Sequence, residues 1–526
     1  MRGAGALAAA AITVVTWGQG PPRRVNTFDL AFPEGRGEIE WLSQSTFRFA
    51  RAWREALQPR LPASVKAVPI SVQESGEGYR FETRYLTVVV DRDGGAVRID
   101  NAHGARLAEW RLSGAGERAV LEAPVAAGER LYGLGARTGP NLELGAAGAV
   151  TTRRPFLLSS SGYAEYYPIG GEYRFDLGGE RRTTVLPGGT VAVFFYFGPS
   201  PKEVFEEHLR VAGRIEPFGA AELEVREPAR AAQSRGSWET LRARVRALLT
   251  GSLSAELVPE FDLTPFAGAG EELEARAAQL ASLMPVLRAP AGVRGFQGLR
   301  RRLRPYLLSY TKDARDRGCP VLRPLLISYD GDAEAVRQND EFMLGDELLV
   351  APVLAAGGSA DVYFPRGIWT ELWGGEVYQG QQRVRVRAPA GSPPMFVLNG
   401  TIVPLEAEDA SAPLELHYFP GQAAEFFLYE EGSEEISQLH AGPADEVLRL
   451  EIESVAGRVY EWAIHRAGKC RKVEGGGAKY ARVAGRGQLA PGRWWADAAT
   501  GTLRIRVAAR AGGDEVVNVA LAARRR

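Results

Sequence analysis

Cysteine is almost absent from this chain: Cys319 and Cys470 are the only two. A disulfide framework or a thiolate zinc site needs more thiols at closer spacing, so neither is expected. Histidine is nearly as scarce. His103, His208, His417, His440 and His465 are scattered, with no His-x-x-x-His pair, so no metal centre is expected, and nothing implies a cofactor. An excess of one charge is also missing. Lys plus Arg and Asp plus Glu number 64 each, and no basic run stands out, which argues against a nucleic-acid partner. Long apolar runs are lacking too, so no membrane span is expected.

The longest apolar stretch lies near the start. Met1-Arg2-Gly3 precedes an Ala-rich run from Ala4 to Val15, followed by Gly18, Gly20, Pro21 and Pro22. One positive charge ahead of a short apolar run is the layout of a secretory signal peptide. Residues 1–20 are read as such a peptide, and the protein is expected to be exported, to the periplasm or beyond. The Ala-x-Ala triplets lie inside the run rather than after it.

What the chain does have is glycine (61), proline (32) and 45% hydrophobic residues over 526 positions. That is too long for one ordinary core and fits several domains rich in short strands and turns. From about Arg80 to Phe197 the pattern is strand-like. Tyr85–Val90, the turn Asp91–Gly95 and the alternating Ala96–Ile99 predict a hairpin. Runs at Arg154–Ser159, Tyr173–Leu177 and Val191–Phe197 continue the pattern and predict an antiparallel sandwich.

After Pro199 the period changes. Lys202–Ala212 reads as a helix. Ser237 is placed to cap a second, in which Trp238, Leu241, Val245, Leu248 and Leu249 form one stripe. Leu273, Ala277, Leu280 and Met284 mark a third. Phe296, Leu299, Leu303, Tyr306 and Tyr310 mark a fourth, with Pro305 as a kink point. Leu257–Phe266 reads as a buried strand with its loop. From Leu348 strands return, at Leu348–Val353, Asp361–Phe364, Val384–Val386, Met395–Val397, Ile402–Pro404, Ala424–Tyr429, Leu448–Ile452 and Thr502–Val507. The acidic run Glu430–Glu435 reads as a solvated turn. Trp369 and Trp373 read as packing residues in a sandwich, with stacking on sugars as the alternative.

Several stretches carry a family resemblance. Leu131-Tyr132-Gly133-Leu134-Gly135, Pro155–Ser159 with Gly162-Tyr163, and Tyr196–Glu203 come first. More specific are Leu303–Leu307, Gly318–Leu325 and Asp340-Glu341-Phe342-Met343-Leu344-Gly345-Asp346-Glu347-Leu348-Leu349-Val350-Ala351-Pro352-Val353. Phe364–Trp369, Asn399–Pro404 and Phe426–Gly432 follow. In this order and spacing they resemble glycoside hydrolase family 31, which holds α-glucosidases and α-xylosidases, over roughly residues 80 to 520. The resemblance implies a multidomain, mainly β protein: an N-terminal antiparallel β-sandwich (21–200), a truncated (β/α)8 barrel remnant (201–345), and two C-terminal β-sandwich modules (346–406 and 407–526). The remnant is inferred from length. A closed barrel takes about 250 residues, whereas 124 positions separate Phe218 from Phe342. The missing strands would leave an open flank for other elements, an oligomer or a partner to cover.

Members of the family are retaining α-glycosidases, a chemistry that needs two carboxyl groups about 5 Å apart. The family's nucleophile is an Asp in a Trp-x-Asp-Met-Asn-like strand end, and this chain has no such motif. Its acid/base Asp precedes a Ser-Trp pair; registered on Ser237-Trp238, that position carries Gln233, which cannot donate and recover a proton. Asp262 resembles a pocket carboxylate, with a loop or strand-end carboxylate as the plainer reading; Arg288 reads as a pocket remnant or a surface charge; Pro290 stands where the family places a histidine. The remnant substrate-binding residues are therefore Asp262, Arg288 and Gln233, with no catalytic residue assigned. Asp340 and Asp346 read as carboxylates satisfying loop amides. Three functions follow: a catalytically degenerate relative binding α-linked oligosaccharide or a partner, an active retaining α-glycosidase with non-standard acids, or the product of an internally deleted gene.

Overall fold

The computed structural model describes residues 26–522 except 55, 58–65, 116–117, 136, 138, 140, 146–147, 214–222, 227–234, 390 and 410. The candidate signal peptide lies outside them. Among the described residues no helix is long and apolar enough to cross a membrane. The molecule is multidomain and mainly β.

The N-terminal part is a sandwich of a seven-stranded and a nine-stranded sheet. The predicted hairpin forms from Leu86–Asp91 and Ala96–Asn101. Leu86, Val88 and Val90 face Val97 and Ile99 in the core, while Arg98 points to solvent, as a period of two requires. Gly94 in its turn has φ +66°, and a Cβ there would lie 2.7 Å from the Phe32 ring. Four strands between Thr27 and Ser75 precede the region read as strand-like. Their alternation is obscured because Glu38, Glu40, Arg48 and Arg51 are buried. Arg48 pairs with Glu38 at 2.9 Å, which is how such charges are tolerated inside.

Four helices follow, close to where periodicity places them: α1 (Pro201–Ala212), α2 (Trp238–Ser252), α3 (Glu271–Ala281) and α4 (Gln297–Arg317). The Ser237 hydroxyl accepts from the Thr240 amide at 3.1 Å and starts α2, giving an acceptor to one of the orphan N–H donors of the helix N-terminus. Glu271, Glu272 and Glu274 sit in the first turn of α3, where the helix dipole favours negative charge. α4 runs through Pro305 and stops at Gly318, whose φ of +79° is left-handed. Between these helices lie three short parallel strands, in the order Glu224–Arg226, Val286–Arg288, Glu260–Asp262.

Beyond them a six-stranded sheet faces the Ser359–Phe364 and Gln382–Arg387 pair. It takes in Leu322–Pro324 and Phe342–Leu344, three-residue strands too short to show a period. Two further six-stranded sheets make the last module, which begins with Thr401–Leu405 paired to Leu414–Phe419.

The acidic turn at Glu430–Glu435 is not simply solvated. Glu431 accepts from Arg304 at 3.1 Å and Glu434 from Arg315 at 3.1 Å. Lys312 donates to the Glu430 carbonyl at 3.2 Å, so the turn grips α4. The physical reason is α4's own excess of basic residues, which a sequence read one element at a time does not bring to the turn.

Candidate functional site

The C-terminal ends of parallel strands are where ligands sit in α/β architectures. Here those ends carry Arg226, Arg288 and Asp262 in one register row, with Glu224, Val286 and Glu260 two residues earlier. Side chains two apart share a face, so one face of the sheet presents Glu224, Arg226, Glu260, Asp262 and Arg288 around the buried Val286. The opposite face carries Phe261 and Leu287, which are fully buried in the same core as Leu241, Val245 and Leu249 of α2 and Leu273, Ala277 and Leu280 of α3. The third residue of that face, Val225, is 56% exposed.

The charged face is wired internally. Arg288 donates through Nε and Nη2 to Glu260, the latter at 3.2 Å. Arg226 reaches the same carboxylate at 3.4 Å and also bonds Glu224. The hydrogen bond to Glu260 holds the Arg288 guanidinium above its ordinary range. Asp262 turns elsewhere: its Oδ1 accepts from the Thr264 amide at 2.9 Å and from the Thr264 hydroxyl at 2.5 Å. That is the work of a turn-capping aspartate.

Asp262 and Arg288 are therefore neighbours in register, yet Arg288 is partnered by Glu260. Gln233 lies outside the described residues. Glu224, Arg226 and Glu260 were missed as members of the site, although the sequences Glu-Val-Arg and Glu-Phe-Asp carry the alternation that would have placed them. Every carboxylate of this face is engaged by a guanidinium or by Thr264. Retaining hydrolysis asks for two carboxyl groups facing one anomeric carbon, and these are instead bound into ion pairs and a turn.

The other acidic candidates also pair differently from the expectation that they satisfy loop amides. Asp340 takes two hydrogen bonds from Arg246, at 2.7 and 3.1 Å. Asp346 accepts from Lys202 at 2.5 Å and pairs with Arg323, and those cations pull its carboxyl down to about 2 against the effect of burial. Trp369 is fully buried and donates to the Pro365 carbonyl at 2.8 Å. Trp373 is only partly buried, with the Arg302 guanidinium 5.1 Å from its ring centre. Among the described residues no group of three or more His, Cys, Asp or Glu could hold a metal ion.

Residues 318–403 match the model of the glycosyl hydrolase family 31 C-terminal domain, the stretch where the motifs are densest. The chain is 35% identical over 111 residues to an α-glucosidase of Saccharolobus solfataricus, 21% of this chain and 16% of that protein. It is 27% identical over 228 residues to an α-xylosidase of the same organism, 37% of this chain and 31% of the relative. A family 31 dextranase of Flavobacterium johnsoniae, solved with glucose, superimposes with a TM-score of 0.81 at 15% identity, covering 93% of this chain and 97% of that one. Residues 318–403 thus carry the family 31 C-terminal domain, and most of the chain shares the fold of a family 31 structure. The matches to the two curated relatives span less than a third of either relative's length, and the dextranase likeness is one of fold. What the chain shares most clearly with family 31 is its C-terminal domain.

Proposed function

We propose that this chain is a catalytically degenerate relative of family 31 and binds carbohydrate without hydrolysing it. The observation that carries this reading is the fate of Glu260: both its oxygens accept from Arg288, and one of them also from Arg226. A carboxylate so engaged is not presented to a sugar, and Asp262 spends its own oxygen on Thr264. A face of partly exposed charges around Val286 also suits a sheet that is no longer the lining of a closed barrel, since barrel interiors are packed by branched apolar residues. The truncation of the barrel is part of this proposal. So is cover for the sheet's flank by a second copy or a partner, which the exposed Val225 supports. Export rests on the apolar run Ala4–Val15 and is tested by N-terminal sequencing of the secreted protein.

A family 31 structure of the Flavobacterium johnsoniae dextranase holds isomaltotriose, which makes α-linked glucosyl oligosaccharides the first ligands to try. The test is hydrolysis of aryl α-glucoside and aryl α-xyloside by the purified chain and by Asp262→Asn. No turnover above the blank in either protein is expected. Turnover that disappears in Asp262→Asn would overturn the reading in favour of an active retaining glycosidase with unusual acids.

A further inference from the structure

The proximal β-module contains a cleft of about 690 Å³. That volume lies within the range of about 300–1,000 Å³ typical of small-ligand sites. Its walls are Trp373 and Tyr378, backed by the fully buried Phe396, with Val384, Val386 and a rim of Pro389, Pro393 and Pro394. Glu371, Glu376, Arg385 and Arg387 line it as well, two charges of each sign.

The aromatic wall is fixed in place. Tyr378 stacks on Phe364 with centroids 4.6 Å apart and meets Phe396 edge-on at 5.4 Å. Its hydroxyl donates to Glu376 Oε2 at 2.7 Å. The rim is fixed too, because Arg276 of α3 donates to the carbonyls of Ala388, at 2.6 Å, and Pro389, at 3.0 Å. Little has to be ordered when a ligand enters, and such preorganisation lowers the cost of binding.

We infer that this cleft is a binding site for an uncharged pyranose unit of an oligosaccharide. A pyranose has one face of C–H groups and a rim of hydroxyls. Aromatic rings match the first, and carboxylates, as acceptors only, match the second. Glu376 keeps Oε1 for a ligand hydroxyl while Tyr378 holds Oε2. Glu371 is half-buried beside Trp373, with one oxygen held by the Gly374 amide. The balance of two carboxylates and two guanidinium groups favours a neutral polyol over an anion. The inference rests on the reading of the chain as a carbohydrate binder and moves the binding from the parallel sheet to this cleft.

The experiment is titration of the full chain with isomaltotriose and maltotriose, followed by calorimetry and by tryptophan fluorescence. Four variants are compared: Glu376→Gln, Tyr378→Phe, Trp373→Phe and, at the parallel sheet, Glu260→Gln. Tyr378→Phe keeps the ring that packs on Phe364, and each variant is checked for an unchanged unfolding transition. Saturable binding is expected, weakened about tenfold or more by Glu376→Gln, as loss of a charged hydrogen bond predicts. Glu260→Gln should leave affinity unchanged, and Trp373→Phe should remove most of the fluorescence response. Binding that ignores Glu376→Gln and fails in Glu260→Gln would overturn the cleft and leave carbohydrate binding standing. No saturable binding of either sugar in the unmodified chain overturns both the cleft and the binding half of the proposed function; the aryl-glycoside assay then still reports on activity by itself.

Discussion

Arg288 and Glu260 reach across adjacent parallel strands and bond through two nitrogens, one of them at 3.2 Å. Their side chains are 23% and 38% exposed, so solvent screens the pair. A double-mutant cycle with Arg288→Met and Glu260→Gln, read by thermal unfolding, should give only a small coupling that shrinks further in high salt. A large coupling insensitive to salt has one physical meaning: in solution something covers this face and keeps water from it.

The contrast lies in the N-terminal sandwich, where Arg182 and Glu165 pair in full burial, their side chains 1% and 0% exposed. Glu165 also accepts from the Trp110 indole at 2.8 Å and from the Tyr167 hydroxyl at 2.6 Å. Arg182→Met leaves a buried carboxylate without its counter-ion, a change that costs about 3–5 kcal/mol. Unfolding of this module should shift sharply down in that variant. Replacing both partners, as Arg182→Met with Glu165→Gln, should recover part of the loss. Equal losses in the single and double variants would mean that packing, and not charge, is what Arg182 supplies.

These two pairs also mark how far the sequence could be read. Helices announced themselves because Leu241, Val245 and Leu249 repeat at helical spacing and a cap stands ahead of them. The hairpin at Leu86–Asn101 did so because one of its faces is wet. The strands from Thr27 to Ser75 were hidden by Glu38, Glu40 and Arg48, polar residues that are buried against the usual rule. At the site, Asp262 and Arg288 were found through resemblance, and the register does bring them together. Glu260 was missed: its pairing with Arg288 depends on strand order, and strand order is not written in local periodicity. The grip of Glu431 and Glu434 on α4 was missed for the same reason, since the contact joins elements more than a hundred residues apart.

Gly345 is a point where the backbone leaves no room. Its φ is +65°, and a Cβ there would lie 2.3 Å from the Tyr310 ring and 2.4 Å from the Tyr306 hydroxyl. Those two hydroxyls donate to Glu347 Oε2, at 2.7 Å from Tyr306 and 2.6 Å from Tyr310. Gly345→Ala should therefore destabilise the chain by more than the backbone conformation alone would cost, because it pushes both donors off a buried carboxylate. Gly512→Ala, at a site with φ +67° and nothing within 4 Å, supplies the control for backbone strain. If the two variants lose the same thermal stability, the Tyr–Glu347 contacts add nothing.

Glu341 provides the test in pH. It is buried and takes the Tyr363 amide on both oxygens, at 3.1 and 3.2 Å. Burial pushes its carboxyl up to about 8, while the Tyr363 amide pulls the other way. An ordinary glutamate in the unfolded chain ionises near 4.5. Below that point both states hold the proton and the contribution of Glu341 to stability is fully present. As pH rises towards 8 the unfolded chain has released its proton while the folded one still holds it, so folding stability declines through this window and levels off above it. Glu341→Gln keeps an acceptor for Tyr363 and cannot ionise. The variant should match the unmodified chain at pH 4.5 and exceed it in melting temperature at pH 8.5. Because every other titrating group is common to the two proteins, the difference between their pH profiles isolates this carboxyl. Parallel profiles would mean that Glu341 ionises in the fold as readily as it does in water.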